Sequence, residues 1–292
     1  MFEGAHTALV TPFRNNRFDE AAFERLIEFQ IENGISGIVP VGTTGESPTL
    51  DHEEHARVVE LAVKQAKGRC KVIAGTGSNS TAEAISLTVE AERAGADAAL
   101  LVSPYYNKPS QEGLFRHYQA IADATKLPLV LYSIPGRAGI EIGVQTVRRL
   151  AEACPNIVAI KEAGGTVDRV SQLRQALPET FEIISGDDAL TLPFMATGAV
   201  GVISVASNII PGEVSALVAA GLACDYARAR QLHEHWYPLF RDLFVETNPV
   251  PIKTALAWQD RIALEFRLPL CEMTEENTAK LRATATALKL IA

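Results

Sequence analysis

The sequence predicts an α/β fold: a (β/α)8 TIM barrel followed by a C-terminal helical appendage. Three observations predict it. Apolar, β-rich runs alternate with helical patterns eight times before residue 225. The runs are apolar throughout, as parallel strands buried on both faces are, and eight such units suit a closed barrel better than an open sheet. No linker rich in Pro, Gly or Ser interrupts them, so residues 1–224 read as one barrel and 225–292 as a separate helical region.

The strand-like runs fall at 6–13, 37–42, 71–77, 96–105, 128–135, 157–163, 181–186 and 201–208. Asp19 is placed to cap a helix over 20–33 that stops at Gly34. Asp51 with Glu54, and Ser80 with Glu83, have capping-box spacing. Gly68 and Gly95 stop the helices that follow. Beyond 225, helical patterns cover 227–244, 251–258 and 274–290, and nothing there reads as catalytic. His233 and His235 are two apart, so they do not share a helix face.

Composition narrows the function classes. The 292 residues are 47% hydrophobic and 21% charged, ordinary for a soluble enzyme. A net charge of −8 argues against nucleic acid as a partner. No apolar run reaches membrane-spanning length, and Met1-Phe2-Glu3-Gly4 carries no basic signal region. Cys70, Cys154, Cys224 and Cys271 are scattered, which points to a reducing, cytoplasmic setting rather than a disulfide or metal framework. His52-Glu53-Glu54-His55 has its histidines three apart, which is not the metalloprotease register. Neither a metal nor an organic cofactor is expected.

Barrel chemistry sits at the C-terminal ends of strands. Four segments stand there with reactive side chains: Gly42-Thr43-Thr44-Gly45-Glu46-Ser47, Tyr105-Tyr106, Tyr132-Ser133-Ile134-Pro135-Gly136-Arg137, and Lys161. Each has an ordinary alternative. Gly-Thr-Thr-Gly can be only a tight turn, Tyr132 a core tyrosine, Arg137 a solvated turn residue, and Lys161 a strand-end lysine that snorkels to water. Their joint occurrence at successive strand ends outweighs those alternatives. Burial of Lys161 would disfavour its ammonium form and free the amine as a nucleophile. Alternation puts Lys161 on the face of Ala159 and Ile157, and Tyr132 on that of Val130. Two neighbouring strands would then bring phenol and amine together, with threonine hydroxyls near, as a proton relay for imine chemistry. Arg137 is planar and permanently charged, and suits a bidentate grip on a carboxylate.

The chain resembles the pyruvate-dependent, Schiff-base class I aldolases, the family that includes dihydrodipicolinate synthase and N-acetylneuraminate lyase. The resemblance spans essentially the whole chain. It rests on Gly42-Thr43-Thr44-Gly45-Glu46, Ser103-Pro104-Tyr105-Tyr106, the Tyr132–Arg137 motif, Ile160-Lys161-Glu162 and Ser185-Gly186-Asp187. Arg137 and Asn248-Pro249-Val250-Pro251-Ile252-Lys253 favour the synthase branch. Ser133 departs from the asparagine common there, with flanking Tyr132 and Pro135 kept.

The resemblance implies that Lys161 forms an imine with pyruvate, and that the derived enamine attacks L-aspartate 4-semialdehyde. Thr43, Tyr132 and Tyr106 would move protons, with Tyr106 donated across a dimer interface. Thr44 and the backbone of Ile203 would hold the pyruvate carboxylate, Gly186 would line the pocket, and Arg137 would hold the second carboxylate. A homodimer or a tetramer of dimers is implied. L-lysine is implied as an inhibitor, at positions Ser47, Pro48, His52, His55, Asn79, Glu83 and Tyr105. His52 and His55, one turn apart, would share a helix face there, and Pro48 stands where a small residue is frequent. A sugar-acid lyase of the same family and a non-catalytic keto-acid sensor are the alternative readings.

Overall fold

The computed structural model describes residues 1–291. Strand β1 (Gly4–Ala8) is followed by a small hairpin, β2 (Phe13–Arg14) and β3 (Arg17–Phe18). The barrel continues with β4 (Gly37–Val39), β5 (Lys71–Gly75), β6 (Ala98–Val102), β7 (Leu129–Ser133), β8 (Ile157–Glu162), β9 (Glu182–Ser185) and β10 (Gly201–Ser204). These strands and β1 form a closed barrel in the order β1-β10-β9-β8-β7-β6-β5-β4, every pairing parallel. The helices outside it are α1 (Glu20–Glu32), α2 (His52–Ala66), α3 (Thr81–Ala94), α4 (Gln111–Asp123), α5 (Pro135–Ala138), α6 (Val144–Ala153), α7 (Val167–Ala176), α8 (Thr191–Ala196) and α9 (Pro211–Leu222). After them come α10 (Tyr226–Asp242), α11 (Val250–Trp258) and α12 (Glu275–Ala287). Among the described residues no helix is long and apolar enough to cross a membrane.

All eight expected strands form, and each is shorter than its apolar run. The run 6–13 pairs only as far as Ala8, although Leu9 and Val10 are fully buried. Apolarity marks burial: Leu9 still donates its N–H to the Val39 carbonyl at 3.1 Å, and Val10 turns to the Asn208 side chain instead of a strand. The β2–β3 hairpin was not expected; its turn is Asn15-Asn16, both at positive φ, as a tight two-residue hairpin turn requires. The Asp19 cap forms, its side chain accepting from Ala22 N at 3.0 Å. Asp51 and Glu54 close a full capping box. Ser80 makes only half of one. Its hydroxyl accepts from Glu83 N, but the Glu83 carboxylate turns to Ser78 Oγ and His52 instead.

Two layers of core follow from strand alternation. An inner cluster of Phe2, Ala8, Val39, Ile73, Ala98, Leu100, Val130, Tyr132, Ala159, Ile184 and Ile203 fills the barrel. A larger outer cluster joins the strands to the helices, α10 and α11 included. One parity expectation is corrected. Leu129 pairs with Ile157 and Val130 with Ala159, so Val158 is an extra residue in β8. This bulge sends Ile157 to the outer core, while Ala159 and Lys161 keep the inward face.

Candidate active site

The mouth of the barrel is built from the loops after β4, β6, β7, β8 and β9. Tyr132 and Lys161 are register partners on β7 and β8. The Lys161 Nζ lies 4.1 Å from the centroid of the Tyr132 ring, and both side chains are buried. Gly186 is the residue that makes room. A Cβ there would stand 3.0 Å from Lys161 Cε and 2.8 Å from Ala163 Cβ. Burial lowers the Lys161 pKa to about 7; Asp188 pulls it back upward and Arg137 presses it further down. At neutral pH a substantial share of the amine is therefore unprotonated and nucleophilic. Burial raises the Tyr132 phenol to about 12, against the opposing pull of Arg137 and of a hydrogen bond with the Thr43 side chain. Tyr132 thus stays a neutral phenol, linked to a hydroxyl and lying against the amine.

A cleft of about 230 Å³ opens over this group. Thr43, Tyr132 and Arg137 line it, together with Ser47, Pro48 and Tyr105. Lys161 lies behind the Tyr132 ring rather than in the cleft wall. The loop carrying Thr43 is strained. Val41 and Glu46 both adopt left-handed φ, at 51° and 53°, and a β-branched residue there is costly. Gly75 permits it, since a Cβ on Gly75 would lie 2.5 Å from the Val41 carbonyl oxygen.

The remaining candidates divide. Thr44 is buried, and its Oγ1 accepts from Asn248 Nδ2 at 2.9 Å. Ile203 is buried on the inner face of β10, opposite His6. Arg137, on α5, donates from Nη2 to the Asn248 carbonyl at 2.9 Å. Tyr106 is 89% exposed with φ of 70°, and does not line the cleft of its own chain.

Of the positions assigned to lysine, His52 Nε2 meets Glu83 Oε1 at 3.0 Å, and Asn79 Nδ2 donates to the Tyr105 carbonyl at 3.3 Å. His55 is different. Its ring is buried and bonded to the Gly75 carbonyl at 2.9 Å, and burial lowers its pKa. His52 and His55 both act on Glu83 from α2, but they differ in state: one is exposed, the other bonded to a barrel strand.

Sequence reasoning assigned no role to three residues of the mouth. Asp188 follows the quoted Ser185-Gly186-Asp187 by one position. Asp187 caps its own turn, accepting from Ala189 N at 2.8 Å, while Asp188 turns inward and is buried. Asn248 joins Thr44 to Arg137. Lys253, fully buried, pairs with Glu46 of the strained loop. The helical region 225–292, read as carrying nothing catalytic, thus supports the mouth through Asn248 and Lys253. Paired acidic residues just past a barrel strand were a signal for Asp188, and Asn248 and Lys253 stand at the two ends of the segment that favoured the synthase branch.

The family model of the dihydrodipicolinate synthetase family matches residues 1–288. The 4-hydroxy-tetrahydrodipicolinate synthase of Thermodesulfovibrio yellowstonii is 53% identical over 291 residues, covering 100% of both chains. The solved structure of the synthase of that name from Methylacidiphilum fumariolicum SolV superposes with a TM-score of 0.98 at 60% identity, over 99% of this chain and 96% of that one. The chloride-inhibited dihydrodipicolinate synthase of Acinetobacter baumannii complexed with pyruvate gives 0.97 at 45%, over 100% of both chains. The Cyanidioschyzon merolae enzyme with lysine bound gives 0.96 at 42%, over 99% of both chains.

Proposed function

The chain belongs to the dihydrodipicolinate synthetase family, and we propose that it condenses pyruvate with L-aspartate 4-semialdehyde to give 4-hydroxy-tetrahydrodipicolinate, the first committed step toward diaminopimelate and lysine. The observation that carries this reading is Lys161: a buried amine with its pKa lowered to about 7, packed on a neutral phenol at a barrel mouth. Its nitrogen attacks the ketone of pyruvate. The carbinolamine takes up one proton and releases water to leave a cationic iminium. Loss of a methyl proton gives the enamine, whose carbon bonds to the aldehyde carbon of the second substrate. The substrate's own amine then attacks the iminium, closing the ring and returning Lys161.

Tyr132 and Thr43 carry the protons of the carbinolamine steps, as their contact supports. Thr44 and the Ile203 backbone hold the pyruvate carboxylate. Arg137, exposed on the rim and tethered through Asn248, holds the carboxylate of the semialdehyde. Tyr106, solvent-facing here, completes the relay of a second copy in a dimer or a tetramer of dimers. L-lysine binds beside the cleft through Ser47, Pro48, His52, His55, Asn79, Glu83 and Tyr105, with His55 as a neutral wall. The four free cysteines fit a reducing, cytoplasmic setting.

The test is a pair of measurements. Borohydride reduction in the presence of pyruvate adds the mass of one reduced pyruvate on Lys161. A coupled assay turns over pyruvate with aspartate semialdehyde, and N-acetylneuraminate is not cleaved. Absence of the adduct, or cleavage of the sugar acid in its place, overturns the reading.

A further inference from the structure

One buried carboxylate at the mouth has no part in the chemistry above. Asp188 stands two residues beyond Gly186 and is only 3% exposed. Its Oδ2 accepts the backbone N–H groups of Val205 at 3.0 Å and Ala206 at 2.9 Å. The Ser204 side chain beside it holds the carboxyl's pKa down. Its Oδ1 is buried and has no hydrogen-bond partner. A carboxylate that only capped the turn after β10 would need one oxygen, and an asparagine would serve as well. Burying a second, unpaired oxygen is costly unless a cation offsets it.

That cation is at hand. Lys161, on the neighbouring strand β8, lies against the same loop: a Cβ on Gly186, two residues before Asp188, would stand 3.0 Å from Lys161 Cε, and the charge of Asp188 acts on the amine. The other charged or titratable groups around the pair are Arg137 on α5, which repels the Lys161 charge, the adjoining Asp187, and the phenol of Tyr132 on β7. Burial raises Asp188 to about 6, so it is largely ionised where Lys161 reacts.

Resting on the imine chemistry above, we propose that Asp188 is a positioning residue of that step. Its carboxylate fixes the turn that follows Ile203 and supplies the negative charge that stabilises the iminium on Lys161. Amine, ketone and one proton give iminium and one water. The free amine becomes a permanent cation in a buried site, and a fixed anion nearby favours that product over the reactants.

The experiment measures the borohydride-trapped pyruvate adduct by intact mass, against pyruvate concentration, from pH 6 to pH 9. Asp188→Asn keeps the shape and the backbone caps and loses the charge. We expect its half-saturating pyruvate to rise roughly tenfold, the size of a one-unit electrostatic coupling. Without the carboxylate the amine also loses its proton more readily, so the pH midpoint of trapping moves downward. A folded Asp188→Asn protein with wild-type saturation and an unmoved midpoint overturns the proposal, since a turn cap alone predicts that result. Ser204→Ala serves if the asparagine variant does not fold. Removing the hydroxyl raises the Asp188 pKa, so trapping at fixed pyruvate falls near pH 7, where much of the amine is neutral, and not at pH 9. An unchanged yield at both pH values overturns the inference. Wild-type protein without any adduct overturns the functional reading and this inference together, whereas normal wild-type trapping with unaffected variants overturns this inference alone.

Discussion

Two buried lysines, held in two regions of the molecule, meet opposite fates. Lys253 on α11 is fully buried where the C-terminal helices meet the strained loop after β4. Its Nζ is paired with Glu46 and lies 4.4 Å from the Phe13 ring and 5.2 Å from that of Phe266. The same Glu46 accepts from Arg267 N at 3.2 Å, and Arg267 pairs with Glu54 at 2.6 Å. Lys161 has one aromatic face, no ion pair within 4 Å among the described residues, and a glycine opposite its stem. Burial lowers both pKa values; for Lys253 the ion pair with Glu46 opposes the shift. Burial with a lowered pKa therefore does not by itself mark a nucleophile. The reactive lysine is the one left without a salt bridge, beside groups that can move protons.

The largest expected effect is at Lys161. Lys161→Ala should lower turnover by at least about a thousandfold and abolish the pyruvate adduct. Its stability should move the other way. The folded pKa is about 7 against the ordinary 10.5, so between those values the unfolded chain binds a proton that the native state lacks. Stability then rises with pH across that window. Lys161→Met should accordingly raise Tm at pH 7, by an increment that shrinks as pH approaches 10.5. An adduct that persists on the alanine variant would place the nucleophile elsewhere.

Lys253 should behave in reverse. Lys253→Met leaves Glu46 buried and uncompensated, which costs about 3–5 kcal/mol in urea unfolding. Adding Glu46→Gln should recover part of the loss. Under conditions where the variant is folded, pyruvate should still be trapped on Lys161. Equal stability of wild type and Lys253→Met would erase the contrast between the two lysines.

Arg137 sharpens the comparison at the cleft rim. Arg137→Ala should cost about 2–5 kcal/mol in kcat/KM for the semialdehyde, because the substrate, on filling the cleft, desolvates the pair its carboxylate makes with the guanidinium. Imine formation with pyruvate should change far less. Equal damage to both steps would make Arg137 a support for Asn248 and Thr44 rather than a substrate contact.

The smallest effect belongs to an exposed pair. His52 and Glu83 meet at a solvated site, where such contacts are worth about 0.2–1 kcal/mol. Lysine titration of the assay should show inhibition at millimolar concentration, weakened a few-fold by His52→Ala and more by Glu83→Ala. Inhibition untouched by both substitutions would move the lysine site elsewhere.

Much of this architecture was legible in residue order. Eight apolar runs and their capping signals located every barrel strand, because burial on both faces and helix ends leave local marks. The segments at strand ends pointed to Lys161, Tyr132, Thr43 and Arg137, which the fold gathers at one mouth. Strand ends were less legible, because buried loops such as Leu9-Val10 are as apolar as paired strands.

Other features depend on groups far apart in the chain. Side-chain parity holds only until a residue is inserted, and the Val158 bulge decides that Ile157 leaves the inner face while Lys161 keeps it. Asp187 and Asp188 are identical in sequence terms, and only the closing of β9 against β10 leaves one capping its own turn and buries the other against the Val205 and Ala206 backbone. His55 is an ordinary helix histidine until the Gly75 carbonyl takes its ring. Asn248 reaches Thr44 across 204 residues, and Lys253 reaches Glu46 across 207. Periodicity, caps and turns are set by neighbours within a few positions. Solvent exclusion and pairing of charge are set by whichever groups the closed barrel brings together, so the chemistry of the mouth was decided there.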